Sequence, residues 1–135
     1  MSDAAAAFEA LLLTPDDEPL PAEQELHSII RRYAEQAGDL DATTHLIGAT
    51  VTALASYHGR TPTVRLLADL RVDLHKPDNS GFRPLHWAAM YGHLDTARLL
   101  LQLRADVNAQ DNEGRTACWA AAFEGQDRVV RALII

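Results

Sequence analysis

The sequence predicts an all-α solenoid of stacked helix pairs joined by short β-hairpin-like turns, and three observations carry that prediction. First, the text repeats at a fixed interval of 33 residues. Asp78, Asn79, Gly81, Ala88, Ala89, Gly92, Arg98 and Leu100 return as Asp111, Asn112, Gly114, Ala121, Ala122, Gly125, Arg131 and Leu133. Stepping back by the same interval aligns Gly48, Ala55, Gly59, Arg65, Leu66 and Leu67 with Gly81, Ala88, Gly92, Arg98, Leu99 and Leu100. Second, each period holds two short helical runs separated by a glycine. Third, Asp-Asn-x-Gly at 78–81 and 111–114 suits tight turns, because Asn and Gly tolerate positive φ. A fixed period of this length is the mark of stacked supersecondary units.

The elements follow in order within a single domain over residues 1–135. Residues 1–44 have the outline of a divergent capping helix pair. Ala4 to Leu13 reads as a helix with Phe8, Leu11 and Leu12 on one side and Asp3 as N-cap. Pro15, Pro19 and Pro21 make the next stretch a loop. Ala22 to Gln36 forms the second helix, with Leu26, Ile29, Ile30 and Tyr33 as its apolar stripe, and Gly38 ends it. The next unit, 45–77, holds a first helix over Val51–Tyr57 and a second from Pro62 to Leu70. In the unit 78–110, Pro84 opens the first helix, since its missing N–H and fixed φ suit a first helical position. Gly92 stops that helix, and a second runs from Asp95 to Leu103. The unit 111–135 is incomplete: Val129, Val130, Leu133 and Ile134 give its second helix an apolar side, with no closing turn after it. That leaves two readings, a segment of a longer chain or a terminal helix that covers its end against a partner. Association through this exposed C-terminal repeat is therefore expected.

The pattern resembles the ankyrin repeat. Asp78, Gly81, Pro84-Leu85-His86, Ala88-Ala89, Gly92-His93-Leu94, Leu99-Leu100 and Ala105-Asp106-Val107-Asn108 carry the resemblance. It covers residues 44–135 directly and the N-terminal third more weakly. The family's usual Thr-Pro-Leu-His appears as Arg83-Pro84-Leu85-His86, as Thr116-Ala117-Cys118-Trp119 and as Thr50-Val51-Thr52-Ala53, so no unit has all four residues. The resemblance implies a network in which the Thr hydroxyl and His ring bond within and between repeats. It also implies a concave surface, formed by turn tips and first helices, that holds most partner contacts.

Composition narrows the function further. Of 135 residues, 47% are hydrophobic and 23% charged, which fits one domain with a real core. The formal net charge of −7 is unevenly placed. Residues 1–44 carry ten acidic and two basic side chains, and the remainder carries nine and ten. Electroneutral repeats without a Lys and Arg cluster argue against a nucleic-acid binder. The lone Cys118 excludes an intramolecular disulfide framework and is compatible with a reducing compartment. At its register it is expected as a small buried apolar residue. An acidic N-terminus without a basic n-region does not read as a signal peptide, and no apolar run is long enough to span a bilayer. The expected location is the cytoplasm, with the nucleus open in a eukaryote, and no membrane association is expected.

No enzymatic chemistry is legible. The six histidines show no metal-ligand spacing, the serines sit in no nucleophile elbow, and no phosphate-binding loop is present. The expectation is a non-enzyme without cofactor or metal that binds another protein as an adaptor, scaffold or stoichiometric inhibitor. The alternative is the N-terminal structural portion of a longer repeat protein with no partner of its own. Candidate partner-binding residues lie at the turn tips and in the last turn of each first helix. They are Asn79, Ser80 and Phe82; Asn112, Glu113 and Arg115; and Tyr57-His58, Met90-Tyr91 and Phe123-Glu124. Large apolar or aromatic residues recurring at a solvent-side register suit interface anchors. Packing of Met90 and Phe123 under the turns, with Trp119 sharing Phe123's pocket, is the competing expectation.

Overall fold

Helices form where apolar residues recur at helical spacing, and five of those described stop at a left-handed residue: Gly59, Arg71, Gly92, Arg104 or Gly125. The computed structural model describes residues 21–35 and 50–134. Among them are seven helices and no strand: α1 (Glu23–Glu35), α2 (Val51–Tyr57), α3 (Thr61–Asp69), α4 (Pro84–Met90), α5 (Leu94–Gln102), α6 (Ala117–Phe123) and α7 (Asp127–Leu133). The helix expected over Ala4–Leu13, most of the proline-rich loop and the turn at Gly38 lie outside the described residues.

Two rows of helices stack side by side. The first helices α2, α4 and α6 make one row, and the second helices α1, α3, α5 and α7 make the other. Alanines explain the close spacing of the first row: Ala55, Ala88, Ala89, Ala120 and Ala121 are all fully buried. Between the rows lie Val51, Val64, Leu67, Leu85, Leu99, Leu100, Val129 and Leu133, each buried. A helix pair of this size cannot cover both of its sides alone, so every unit depends on its neighbours. Leu26 and Ile30 of α1 are also completely buried in the shared core. The His27 imidazole and the Thr63 hydroxyl of α3 sit 2.9 Å apart, which fixes α1 against the row.

Helix starts follow the residues available. Thr50 and Thr116 accept from the backbone N–H of Ala53 and Trp119, each at 3.2 Å. Arg83 has no hydroxyl for that purpose, and there the reciprocal half of the cap is made instead. The Arg83 backbone N–H donates to His86 Nδ1 at 3.0 Å. Second helices end differently, with Arg71 (φ 60°) and Arg104 (φ 72°) in the left-handed conformation where glycine is usual.

The glycines between paired helices serve a second need. Gly59 and Gly125 occupy the same register with nearly equal φ, 69° and 72°. A Cβ on Gly59 would lie 2.5 Å from the His93 ring of the next unit, whereas one on Gly125 would meet nothing within 4 Å. Both positions strain any other residue by roughly 1–2 kcal/mol, but only Gly59 must also admit a side chain. In urea unfolding, Gly59→Ala should therefore cost at least about 1 kcal/mol more than Gly125→Ala. Equal losses would mean that His93 yields freely. Leu100→Ala opens a cavity between the two rows and should cost about 2–4 kcal/mol by the same assay; a loss under about 0.5 kcal/mol would contradict this packing.

Candidate functional site

The candidate residues lie on the turn tips and the ends of the first helices, and the tips are built on a buried aspartate. Asp78 Oδ1 accepts from the N–H groups of Ser80 (2.9 Å) and Phe82 (3.0 Å). Asp111 does the same for Glu113 (2.9 Å) and Arg115 (2.8 Å). The second carboxylate oxygen finds a different partner in each repeat. Asp78 Oδ2 accepts from Trp87 Nε1 at 3.2 Å, and Asp111 Oδ2 from Arg115 Nε at 2.8 Å. Burial pushes the Asp78 carboxyl above its ordinary range, and the Ser80 and Phe82 N–H groups with the neutral indole only partly oppose this. Burial pushes Asp111 the same way, but the Arg115 backbone N–H and guanidinium, with the Glu113 N–H, outweigh it and hold that carboxyl low.

Neighbouring tips are stitched together. The Asn112 backbone N–H donates to Ser80 O at 3.0 Å, and Asn112 Nδ2 donates to Asn79 O at 2.8 Å. Asn79, Ser80, Asn112 and Glu113 remain exposed on the outside of these bonds. Glu113 approaches the Arg115 guanidinium at 3.4 Å.

Phe82 corrects the sequence reading. Expected at a solvent-side position, it is only 5% exposed. Its ring stacks on His86 at 4.9 Å and meets the edge of Trp87 at 4.9 Å. The reason is its apolar ring, which packs on the His86 and Trp87 rings beneath the tip, whereas Arg115 makes the same backbone bond and keeps its charged group near the surface. Arg115, one period later, covers the same ground from above, with its guanidinium 5.9 Å from the Phe82 ring and 5.1 Å from Trp119.

The other candidates sort into two places. Tyr57 lies 4.8 Å from His58, 4.5 Å from Tyr91 and 5.6 Å from Trp87 between ring centres. Tyr57, His58 and Met90 are half-buried, and Tyr91 is 44% exposed. Phe123 is 71% exposed, and it stacks on Trp119 at 5.1 Å. The pocket proposed for that pair is absent, because Trp119 is itself 42% exposed. Glu124 stands beside it, exposed. Together Tyr57, Tyr91, Trp87, Phe82, Arg115, Trp119 and Phe123 form a near-continuous band across three repeats. Sequence reasoning missed Trp87 as a member and entered Trp119 only as sharing Phe123's pocket. The one legible signal of each was a large aromatic immediately before paired alanines. Cys118 is half-buried rather than buried, because no element among the described residues covers its side of α6.

His86 joins the band to the core. Its Nδ1 accepts from Arg83, so Nε2 carries the proton and donates to Arg115 O of the next repeat at 3.0 Å. Burial pushes its pKa below the ordinary value of 6.5, and protonation would also destroy the bond from Arg83.

With this geometry in view, residues 22–111 match the family profile described as ankyrin repeats in three copies. The chain belongs to the ankyrin-repeat family. No curated protein matches it. Among the described residues, no helix is long and apolar enough to cross a membrane.

The buried neutral His86 generates a pH dependence. Its folded pKa is depressed, so the unfolded chain binds the proton more readily and stability is lost as pH falls below 6.5. Above that value the contribution is fully present. Urea unfolding of His86→Asn at pH 7.5 and 5.5 should show a shallower fall than the native chain. Identical slopes would show that another group is responsible.

Proposed function

We propose that this chain is a protein–protein interaction module, an adaptor, scaffold or stoichiometric inhibitor without catalytic activity of its own. Its partner is gripped by the concave face of turn tips and first helices. The observation that carries this reading is the aromatic band from Tyr57 to Phe123, which opens to solvent at Tyr91, Trp119 and Phe123 and closes over the buried Phe82 beside the Arg115 guanidinium. Aromatic rings bring large area at low rotamer cost, and Arg and Trp dominate interface hot spots. Three repeats supply a standard interface of roughly 800 Å² per partner. The acidic residues of the N-terminal 44 extend the reading toward a partner with a basic surface. A cytoplasmic or nuclear setting accords with a single free cysteine.

A second reading is favoured by one observation at the last repeat. Ala122 is exposed where its equivalent Ala89 is fully buried. Ile134 is 68% exposed, and the space beside Gly125 is open where Gln126 fills that beside Gly92. Such a face suits a further repeat, or association through the C-terminal repeat, and in that case the chain is a structural portion of a longer array.

The two readings separate at Tyr91. Partners captured from native lysate on the wild-type chain are identified, then titrated calorimetrically against Tyr91→Ala. As a hot spot, Tyr91 should contribute at least about 2 kcal/mol, a loss of roughly thirtyfold in affinity. Stability should change by less than about 1 kcal/mol, and Gln102→Ala on a second helix should alter neither quantity. Phe82 is unsuitable for this test because its removal would hollow the tip. Strong destabilisation by Tyr91→Ala with unchanged affinity would refute the interface assignment.

A further inference from the structure

The second helices carry a feature that the aromatic band does not use. Arg65, Arg98 and Arg131 stand 33 residues apart, and all three are exposed on α3, α5 and α7. Stacking sets such positions in a row, one helix spacing of about 8–10 Å apart. Arg98, Arg128 and Arg131 line a groove of about 400 Å³ together with Leu94 and Ala132. Among the described residues, none of these four arginines makes an ion pair or a hydrogen bond. Three other arginines are occupied: Arg60 bonds Pro21 O, Arg83 bonds His75 O and Arg115 bonds Asp111.

We propose that this groove is a docking surface for an extended acidic segment of a protein partner. Guanidinium groups bind carboxylates through paired, directional hydrogen bonds, and the arginine row dictates the spacing of those carboxylates. A polyproline II segment turns once every three residues and rises about 3.1 Å per residue, so acids at i and i+3 face one side about 9 Å apart. That matches the helix spacing. Leu94 and Ala132, both partly buried, give an apolar seat between the charged contacts.

A nucleic acid fits less well. Asp69, Asp95 and Asp127 lie on the same three helices, and the chain is net −7. A continuous phosphate backbone would have to pass these carboxylates, whereas a peptide can place neutral residues opposite them. Asp95, one turn before Arg98, sits on the groove's own helix and should weaken any anionic ligand.

The test is fluorescence anisotropy of the full chain against three labelled probes. One is a twelve-residue peptide with Glu at every third position and Pro and Leu between. The others are its Gln counterpart and a thymidine oligonucleotide of equal length. The Glu peptide should bind at least about tenfold more tightly than the Gln peptide, and should weaken several-fold between about 50 and 200 mM salt. Replacing both Arg98→Ala and Arg131→Ala should abolish that preference. Asp95→Asn should strengthen binding about two- to threefold, a gain that misfolding cannot mimic. Equal binding of the Gln peptide, tighter binding of the oligonucleotide, or no response to the arginine and Asp95 substitutions would each overturn the proposal.

Discussion

Everything in this fold depends on one recurring contact, the bond from a side chain opening a second helix to the last carbonyl of the preceding first helix. His93 Nε2 donates to Tyr57 O at 2.8 Å, and 33 residues later Gln126 Nε2 donates to Met90 O at 3.2 Å. A first helix of seven residues leaves several carbonyls without intrahelical partners. The next repeat supplies one of the missing donors. The donor reaches its target only by passing over the glycine that ends the first helix, so glycine and donor are a matched pair. Imidazole and carboxamide both serve because the requirement is a single N–H at a fixed place. The repeats whose first helices end at Tyr57 and Met90 are thereby each completed by the one that follows.

The same periodicity makes departures from it informative. Asp78 and Asp111 organise their tips through identical backbone bonds, yet their carboxyls shift in opposite directions. The cause is the residue four positions later, Phe82 in one repeat and Arg115 in the other. Where Phe82 takes the buried place, the free oxygen of Asp78 turns to the Trp87 indole and anchors that ring within the aromatic band. Where Arg115 stands instead, it neutralises Asp111 and stays near the surface, over both Phe82 and Trp119. One substitution at one register position thus sets the electrostatics of the tip and the composition of the face above it.

Much of the fold was legible because the pattern fixes what each position does. The helix Val51–Tyr57 and the opening of α4 at Pro84 stand where the sequence puts them, and α1, α3 and α5 differ by about one residue at their ends, as fraying ends do. The site was less legible. Register predicts whether a residue sits at a tip, but not which way its side chain turns. For Phe82 that depends on its ring finding the His86 and Trp87 rings to pack against. Trp87 was missed for the converse reason: its place in a first helix beside buried alanines reads as core, while its indole bridges the tip and the exposed rings. Phe123 and Trp119 turned outward because the flank of α6 that would hold them has no covering element among the described residues.

The division between arginines follows from the same logic. A repeat side chain that bonds a neighbour is held by the stack, and its role is spent on the fold. Arg60, Arg83 and Arg115 are of this kind. A side chain repeated at the same register without any such bond is not held to its neighbours through hydrogen bonds. Arg65, Arg98 and Arg131 meet that description on three successive second helices. Mutual repulsion between them is screened by water but not offset by any carboxylate within bonding distance. Their stems can cover apolar surface beneath while the charges stay in solvent, which accounts for long side chains there but not for guanidinium at every turn of the repeat. The first helices thus present rings and the second helices present arginines interspersed with Asp69, Asp95 and Asp127, two chemically distinct faces on one stack.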